Sequence, residues 1–334
     1  MTVECYIRDQ PQHAHEREAI LTLARMMQHA FGASDQFYLL AANVRFWRAQ
    51  ADALVFTRHA IVLIELKACG DPVYGRAHGP WHVLGGDALS IRGGSHDNPY
   101  QQVVATRGTL TKYLDRNRRH FLLNDRIHEM DGRWGHISAA IVFSPHLHPN
   151  SDIVTPPESR AWLGVIGLNE AAEFLFARFS PQLDLRPQEL RQMAETLHCQ
   201  PWSDIEALLS PASIYGHLWL LDEAGQRTYA FTISDEATLG RSRDNTLVVP
   251  GRFNRTSRHH ARLRLAGDTI WLHDDDSTHG TCVNGVQVPE QGCALRDGDL
   301  ITLGEANHPD ACRLHFERRV RHEASTESTS LTAP

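Results

Sequence analysis

The sequence predicts two domains, a mixed α/β half followed by an all-β sandwich. Three observations carry this. The length of 334 residues suits about two ordinary domains. Helix-like and strand-like segments interleave through the first half, and beyond residues 210–213 the texture changes to short strands separated by Gly, Asp and Asn clusters. The break at Ser210-Pro211-Ala212-Ser213 sets the expected divisions: an α/β domain over 1–209, a sandwich over 210–318, and a Ser/Thr/Glu-rich tail over 319–334 with too little apolar surface to fold.

Residues 12–31 place Ala14, Leu21, Ala24, Met27 and Phe31 near helical spacing, and Gly32 ends the helix. Residues 37–46, 53–56, 60–67 and 81–84 are β-prone runs, with Arg58-His59 as a tight connection and Gly70-Asp71-Pro72 as a break. Asn98-Pro99 opens a helix running to about Leu114, with proline in its first turn. Residues 137–143 and 162–166 read as further strands, and helices are expected from Asn169, Arg186 and Trp202. In the second half, Asn284-Gly285 between Cys282-Val283 and Val286-Gln287 predicts a two-residue hairpin, because a type I′ turn needs positive φ at both central positions.

Composition narrows the function classes. No apolar run approaches the ~20 residues needed to span a bilayer, and the N-terminus lacks a basic start and an apolar core, so a cytoplasmic protein without a membrane partner is expected. Six scattered cysteines contain no Cys-x-x-Cys pair and read as reduced thiols. His13-Ala14-His15 and His146-Leu147-His148 lack partners at zinc-ligand spacing. The net charge of −7 argues against an overall basic coat, but two stretches are locally basic. One holds Arg107, Lys112, Arg116, Arg118, Arg119 and Arg126; the other holds seven arginines from Arg241 to Arg264 against one acid, Asp244.

Of 33 Lys+Arg residues only two are lysines, and one of them, Lys67, ends the motif Asp52-(12 residues)-Glu65-Leu66-Lys67 on an apolar strand. That choice points to a need for an ammonium, a compact point charge that can sit beside a bound water and a phosphate, where a guanidinium is built for bidentate pairing. Asp52 begins one strand while Glu65 and Lys67 end the next, so a hairpin can unite the carboxylates. Residues two apart share a strand face, leaving Leu66 to point into the core. Two hard oxygen ligands suit Mg²⁺, which keeps several waters and completes its shell from phosphate. Metal-dependent phosphodiester chemistry is the expectation.

This arrangement resembles the PD-(D/E)XK nuclease superfamily, and within it the nuclease-related domain, over roughly residues 12–180. The likeness rests on the early helix with Glu16 and Glu18, the Asp52 and Glu65-Leu66-Lys67 strands, Gly70, Trp81, and Asn98-Pro99-Tyr100-Gln101-Gln102. It implies a restriction-endonuclease-like core. It also implies a catalytic set of Asp52, Glu65, Lys67, Gln102 and Glu18, with Gln101 and Glu16 as second choices for the last two. The implied metal set is Asp52, Glu65 and Leu66, holding Mg²⁺ or Mn²⁺.

In the second half, Gly240-Arg241-Ser242, Ser257-Arg258-His259-His260, Asp276-Ser277-Thr278-His279-Gly280-Thr281, Asn284-Gly285 and Asp297-Gly298-Asp299 follow one another. Loops at one end of a sandwich can converge, and arginine with hydroxyl donors makes a charge-assisted phosphate cradle. These motifs resemble the forkhead-associated (FHA) domain. By that resemblance Arg241, Ser257, Arg258 and Thr278 contact the phosphate of a phosphothreonine, His279 and Asn284 lie near the peptide, and Gly240, His260 and Gly280 are structural. His279 stands where the family commonly has Asn.

Together the resemblances imply a bacterial Mg²⁺-dependent nuclease acting on DNA, recruited or regulated by a phosphothreonine-bearing partner and its Ser/Thr kinase, in DNA repair or defence against foreign DNA. The alternative is a non-catalytic adaptor whose first domain only binds nucleic acid or protein. Self-association through phosphorylated Thr326, Thr329 or Thr332 of the tail is a further expectation.

Overall fold

The computed structural model of the chain describes residues 3–318 apart from 12–13, 33, 85–89, 204, 206–214, 234–235 and 268. The anticipated boundary at 210–213, most of the helix expected from Trp202, and the tail with its three threonines lie outside the described residues.

Strand β1 (Val3–Ile7) leads into helix α1 (Ala14–Phe31), followed by β2 (Tyr38–Phe46), β3 (Ala49–Thr57) and β4 (Ile61–Ala68). The short strands β5 (Val73–Gly75), β6 (Trp81–Val83) and β7 (Ser90–Ile91) precede helix α2 (Pro99–Asn117). Then come β8 (Ser138–Ser144), β9 (Asp152–Ile153), β10 (Leu163–Gly167), α3 (Ala171–Phe176), α4 (Pro187–Thr196) and β11 (Gln200–Pro201). Seven strands form a mixed sheet in the order β10-β8-β4-β3-β2-β1-β11, and β7-β6-β5-β9 make a small second sheet.

The large sheet is covered on both faces, which is why its central strands read as near-continuous apolar runs. Ile20, Leu23, Ala24 and Met27 of α1 join Leu40, Val55, Val62 and Ile64 on one side. Val103, Leu110 and Leu114 of α2, with Leu190 and Met193 of α4, join Leu39, Leu54, Leu63 and Ile141 on the other. Truncating one such leucine to alanine costs roughly 2–5 kcal/mol. Asn98 caps α2 while fully buried: its Oδ1 accepts the Gln101 N–H at 2.9 Å and its Nδ2 donates to the Gly79 carbonyl at 2.7 Å. Gly93 lies so close to that cap that a Cβ would stand 2.1 Å from the Asn98 carbonyl oxygen.

The second half contains β12 (Gly216–Leu221), β13 (Arg227–Ile233), β14 (Ala237–Gly240), β15 (Leu247–Val248), β16 (Ala261–Ala266) and β17 (Thr269–Asp274). It continues through β18 (Thr281–Val283), β19 (Val286–Gln287), β20 (Cys293–Ala294), β21 (Leu300–Leu303) and β22 (Cys312–Arg318). They form a β-sandwich of two sheets, β13-β12-β22-β21-β18-β19 and β15-β14-β16-β17-β20. The expected hairpin is present: Asn284 and Gly285 have φ of 52° and 80° between β18 and β19. Leu218, Phe231, Leu239, Leu263, Leu272, Ile301 and Phe316 fill the sandwich, and their cluster is continuous with the one beneath α1. Helices α1 and α3 meet β13, with the Phe176 and Tyr229 rings 5.6 Å apart.

Candidate functional site

Strands β3 and β4 keep a regular ladder up to Ala53 opposite Ile64. One residue further, the side chain of Asp52 replaces the backbone partner: its Oδ2 accepts the Leu66 N–H at 2.7 Å. Across the other edge of β3, Asn43 sits between the pairs Ala42–Ala53 and Val44–Ala51 with φ 50°. There the apolar alternation of β2 changes face, from Leu40 and Ala42 on the α1 side to Val44 and Phe46 on the α2 side. The Asn43 amide fixes this break, donating to the Asp9 carbonyl at 2.9 Å and accepting from Gln50 at 2.8 Å. Sheet regularity is therefore given up beside the acid.

Glu65 is buried, and its Oε1 accepts from Lys67 Nζ at 2.7 Å. Lys67 Nζ also donates to Gln102 Oε1 at 3.4 Å, and the Gln102 amide hydrogen-bonds Glu65. Burial pushes the Asp52 carboxyl up to about 8, helped by the Glu65 charge; the Leu66 N–H and Lys67 act the other way. Burial likewise raises Glu65, with Lys67 and Gln102 opposing. Two desolvated carboxyls beside a single ammonium form a site that favours added positive charge. These residues, with Glu16, line a cavity of about 840 Å³ that also takes in Trp47, Arg48, Gln50, Gly93, His96 and Thr109.

Among the described residues no three His, Cys, Asp or Glu side chains gather as a complete metal cage. The pair fits Mg²⁺ or Mn²⁺ nonetheless, because such ions need only one or two carboxylates when water and phosphate supply the rest. Leu66 can contribute only its carbonyl: its side chain is in the core and its N–H is held by Asp52.

At one end of the sandwich, three loops converge. Arg241 follows β14, its Nε donating to the Thr256 carbonyl and its backbone N–H to the Ser257 carbonyl at 3.1 Å. Ser257 Oγ accepts the Thr278 N–H at 3.0 Å and lies 3.4 Å from Thr278 Oγ1. Beneath them His260 is fully buried, accepting the Ser257 N–H on Nδ1 at 2.8 Å with Nε2 3.1 Å from the Gly280 carbonyl. Only the neutral Nε2–H tautomer satisfies both bonds, in keeping with burial lowering its pKa. Burial works against the charge of Asp274, but hydrogen bonds from Thr281 and Ser277 outweigh it and hold the carboxyl low, pinning the turn that presents Thr278. A Cβ on Gly240 would stand 2.2 Å from the Arg258 carbonyl oxygen, so glycine alone allows the first two loops to approach this closely. The exposed surface of the cluster offers a cation and hydroxyls.

Residues 12–144 match the model of the nuclease-related domain, and residues 237–304 match that of the FHA domain. The chain joins a nuclease-related domain to an FHA domain. The FHA domain-containing protein FhaA of Mycobacterium tuberculosis is 36% identical over 86 residues, which are 26% of this chain and 15% of that protein. The likeness to FhaA thus covers one module. Among solved structures, one from work on phosphothreonine-dependent FHA domain interactions is 27% identical and covers 32% of this chain and 99% of its own, with a TM-score of 0.27. The FhaA FHA domain, crystallised with the intracellular domain of another protein, is 28% identical over 30% of this chain and 99% of its own, with a TM-score of 0.25.

The nuclease-related domain brings Asp52, Glu65, Lys67 and Gln102 into one cavity. The early acid is corrected: Glu18 is exposed and does not line the cavity, whereas Glu16 lines it and its charge acts on both carboxyls. Two residues rotate a helix by ~200°, so the two glutamates cannot share a face. Gln101 faces elsewhere, donating to the Ala77 carbonyl at 3.4 Å. Half of the basic stretch after Gln102 is structural. Arg107 bonds the Ile137 and Gly135 carbonyls, Arg118 pairs with Asp115 and Asp131, and Arg126 is buried against Glu189.

In the FHA domain, Arg241, Ser257 and Thr278 adjoin as expected. Arg258 is exposed beside them, its carbonyl accepting from Ser242 N and Asn245 Nδ2. Asn284 is exposed and also braces its own turn: its Nδ2 donates to Asp299 at 2.8 Å and its Oδ1 accepts the Leu300 N–H at 2.9 Å. His279 lies between Arg255, at 3.4 Å, and Glu305, at 3.3 Å. Arg255 was visible in the sequence only as one of seven arginines, and Trp47 carried no signal there.

Proposed function

We propose that this protein is a metal-dependent nuclease directed by a phosphothreonine-bearing partner. The observation that carries the first part is the union of Asp52, Glu65, Lys67 and Gln102 in one cavity, with both carboxyls raised by burial. A Mg²⁺ or Mn²⁺ ion held by Asp52 and Glu65 would supply a water of lowered pKa and offset charge on the phosphate. Lys67, held by Glu65 and Gln102, keeps its ammonium at the cavity wall, where it can orient an attacking water and balance charge on a non-bridging phosphate oxygen. Gln102 fixes the lysine, since its carbonyl oxygen accepts from Nζ while its amide holds Glu65. Asp52, tied to the Leu66 N–H, cannot swing out of the site.

The second part rests on the converged loops. Anchoring Arg241 through Nε leaves its two terminal nitrogens to fork onto a phosphate. Ser257 and Thr278 add hydroxyl donors, and neutral His260 holds their loops together without adding charge.

The test is a cleavage assay on DNA and RNA with Mg²⁺ or Mn²⁺, with and without a phosphothreonine peptide, using wild type, Glu65→Gln and Arg241→Ala. Metal-dependent cleavage lost in Glu65→Gln, with peptide binding lost in Arg241→Ala, is the expected result. Peptide binding by a wild-type chain that never cuts would leave the adaptor reading in its place.

A further inference from the structure

Trp47 is the one exposed tryptophan of seven, with 54% of its surface open. It occupies the tip of the β2–β3 hairpin, where Phe46 pairs with Ala49 and only Trp47 and Arg48 make the turn. Its φ of 51° lies in the left-handed region, which a glycine would enter without steric cost and a bulky aromatic enters reluctantly. Backbone strain of this kind gathers at ligand clamps. The ring is braced edge-to-face by Tyr113 at 5.5 Å, and Tyr113 is itself tied by its hydroxyl to the Thr196 carbonyl at 2.8 Å. Both turn residues line the cavity that holds Asp52, Glu65 and Lys67. Arg48 is exposed and, among the described residues, has no carboxylate partner in an ion pair.

We propose that Trp47 is a base-stacking platform and Arg48 its backbone contact, so that the site takes unpaired, single-stranded nucleic acid in preference to a closed duplex. This rests on the nuclease reading of the same cavity and names its substrate class. An aromatic face binds a base face, and a base in a duplex already spends both faces on its neighbours. The cavity floor is acidic, so a polyanion needs cationic contacts at its rim, and Arg48 supplies one directly beside the ring. Asp52 follows Trp47 by five positions, the last of them in β3, a reach of at most roughly 17 Å along the chain. The stacked base therefore lies a few nucleotides from the phosphate at the carboxylates.

The experiment measures binding of a labelled oligothymidine and of a blunt hairpin duplex to full-length Glu65→Gln protein in Mg²⁺, combined with Trp47→Gly, Trp47→Phe or Trp47→Leu. The oligothymidine should bind more tightly than the duplex and quench tryptophan fluorescence. Trp47→Gly and Trp47→Leu should weaken it roughly 5- to 100-fold, the range of a single base stack, while Trp47→Phe keeps most of the affinity. Because glycine relieves the φ, Trp47→Gly should melt no lower than its parent, which separates a binding role from a structural one. Equal affinity across the variants, preference for the duplex, or no binding at all overturns the platform. The two readings fail separately. Duplex cleavage indifferent to residue 47 keeps the nuclease and removes the platform, whereas Trp47-dependent binding in a wild-type chain that never cuts does the reverse.

Discussion

The two sites solve opposite electrostatic problems. In the nuclease-related domain, buried acids stand on strands, in a desolvated cavity where burial penalises their charge. In the FHA domain, a cation and hydroxyls stand on exposed loops, and the buried group below them, His260, is neutral. The first site disfavours ionisation of its own acids; the second is braced from below by hydrogen bonds and presents open donors to an anion. One should answer strongly to metal and pH, the other to salt and phosphate.

The sharpest way to break this contrast is to remove the acids and the amine. Glu65→Gln and Lys67→Ala should each lower metal-dependent cleavage by roughly 10³-fold, the scale of losing one electrostatic stabiliser, with phosphopeptide affinity unchanged by calorimetry. Conversely, Arg241→Ala should weaken phosphopeptide binding by roughly 10- to 150-fold, the worth of hydrogen bonds to a charged group, and leave cleavage of naked nucleic acid intact. Joint loss of both activities in either variant would mean that the sites act as one.

A pH series sharpens the comparison. Asp52, ordinarily near 3.8, is held at about 8, so between those values the folded chain keeps a proton that the unfolded chain has released. Stability from this group therefore falls as pH rises from about 4 to about 8, and levels off above. On the proposed reading, Mg²⁺ held by the pair would favour its ionised form and reverse that loss. At saturation the melting midpoint should rise by roughly 5–10 °C near pH 8.5 and by less near pH 6, and Asp52→Asn should flatten the series. A Mg²⁺ shift independent of pH would place the ion elsewhere.

What the sequence disclosed follows the same division. The FHA loops were legible because Gly240, Ser257, His260 and Thr278 each answer a local steric or hydrogen-bonding demand, visible as short motifs. The acid pair was legible through spacing, since a hairpin joins a strand's beginning to its neighbour's end. Side-chain direction was harder to read. Glu18 and Glu16 differ by a rotation that a helix beginning at an uncertain residue does not reveal, and the bonds by which Asn284 braces its turn were hidden because Asp299 and Leu300 lie 15 and 16 residues away in the sequence. Strand β1 was missed as well: a short run containing Glu4 shows little alternation, and its place beside β2 is set by a parallel pairing that no local signal encodes.

The smallest predicted effect tests whether the two sites are truly separate. After β10, Asn169 reaches across the domain boundary and donates from Nδ2 to the carbonyls of Arg243 and Asn245, both at 2.8 Å, in the loop that begins with Arg241. Next to it Glu170, raised by burial, pairs with Arg243 at 3.4 Å. Strand β10 pairs with β8, and β8 with the strand bearing Glu65 and Lys67, so one covalent and hydrogen-bonded path links the sites. The loop has its own brace, because Asn245 Nδ2 donates to the Ser242 and Arg258 carbonyls at 2.8 and 2.7 Å. Asn169→Ala should consequently cost only about 1–2 kcal/mol of domain docking, and weaken phosphopeptide binding by no more than a few-fold. Asn169→Asp, which places a second acid beside Glu170 and removes the donor, should do more. If calorimetry finds both variants identical to wild type, the FHA loop is held wholly from within, and any control of cleavage by the phosphopeptide must act by delivery to substrate and not through the protein interior.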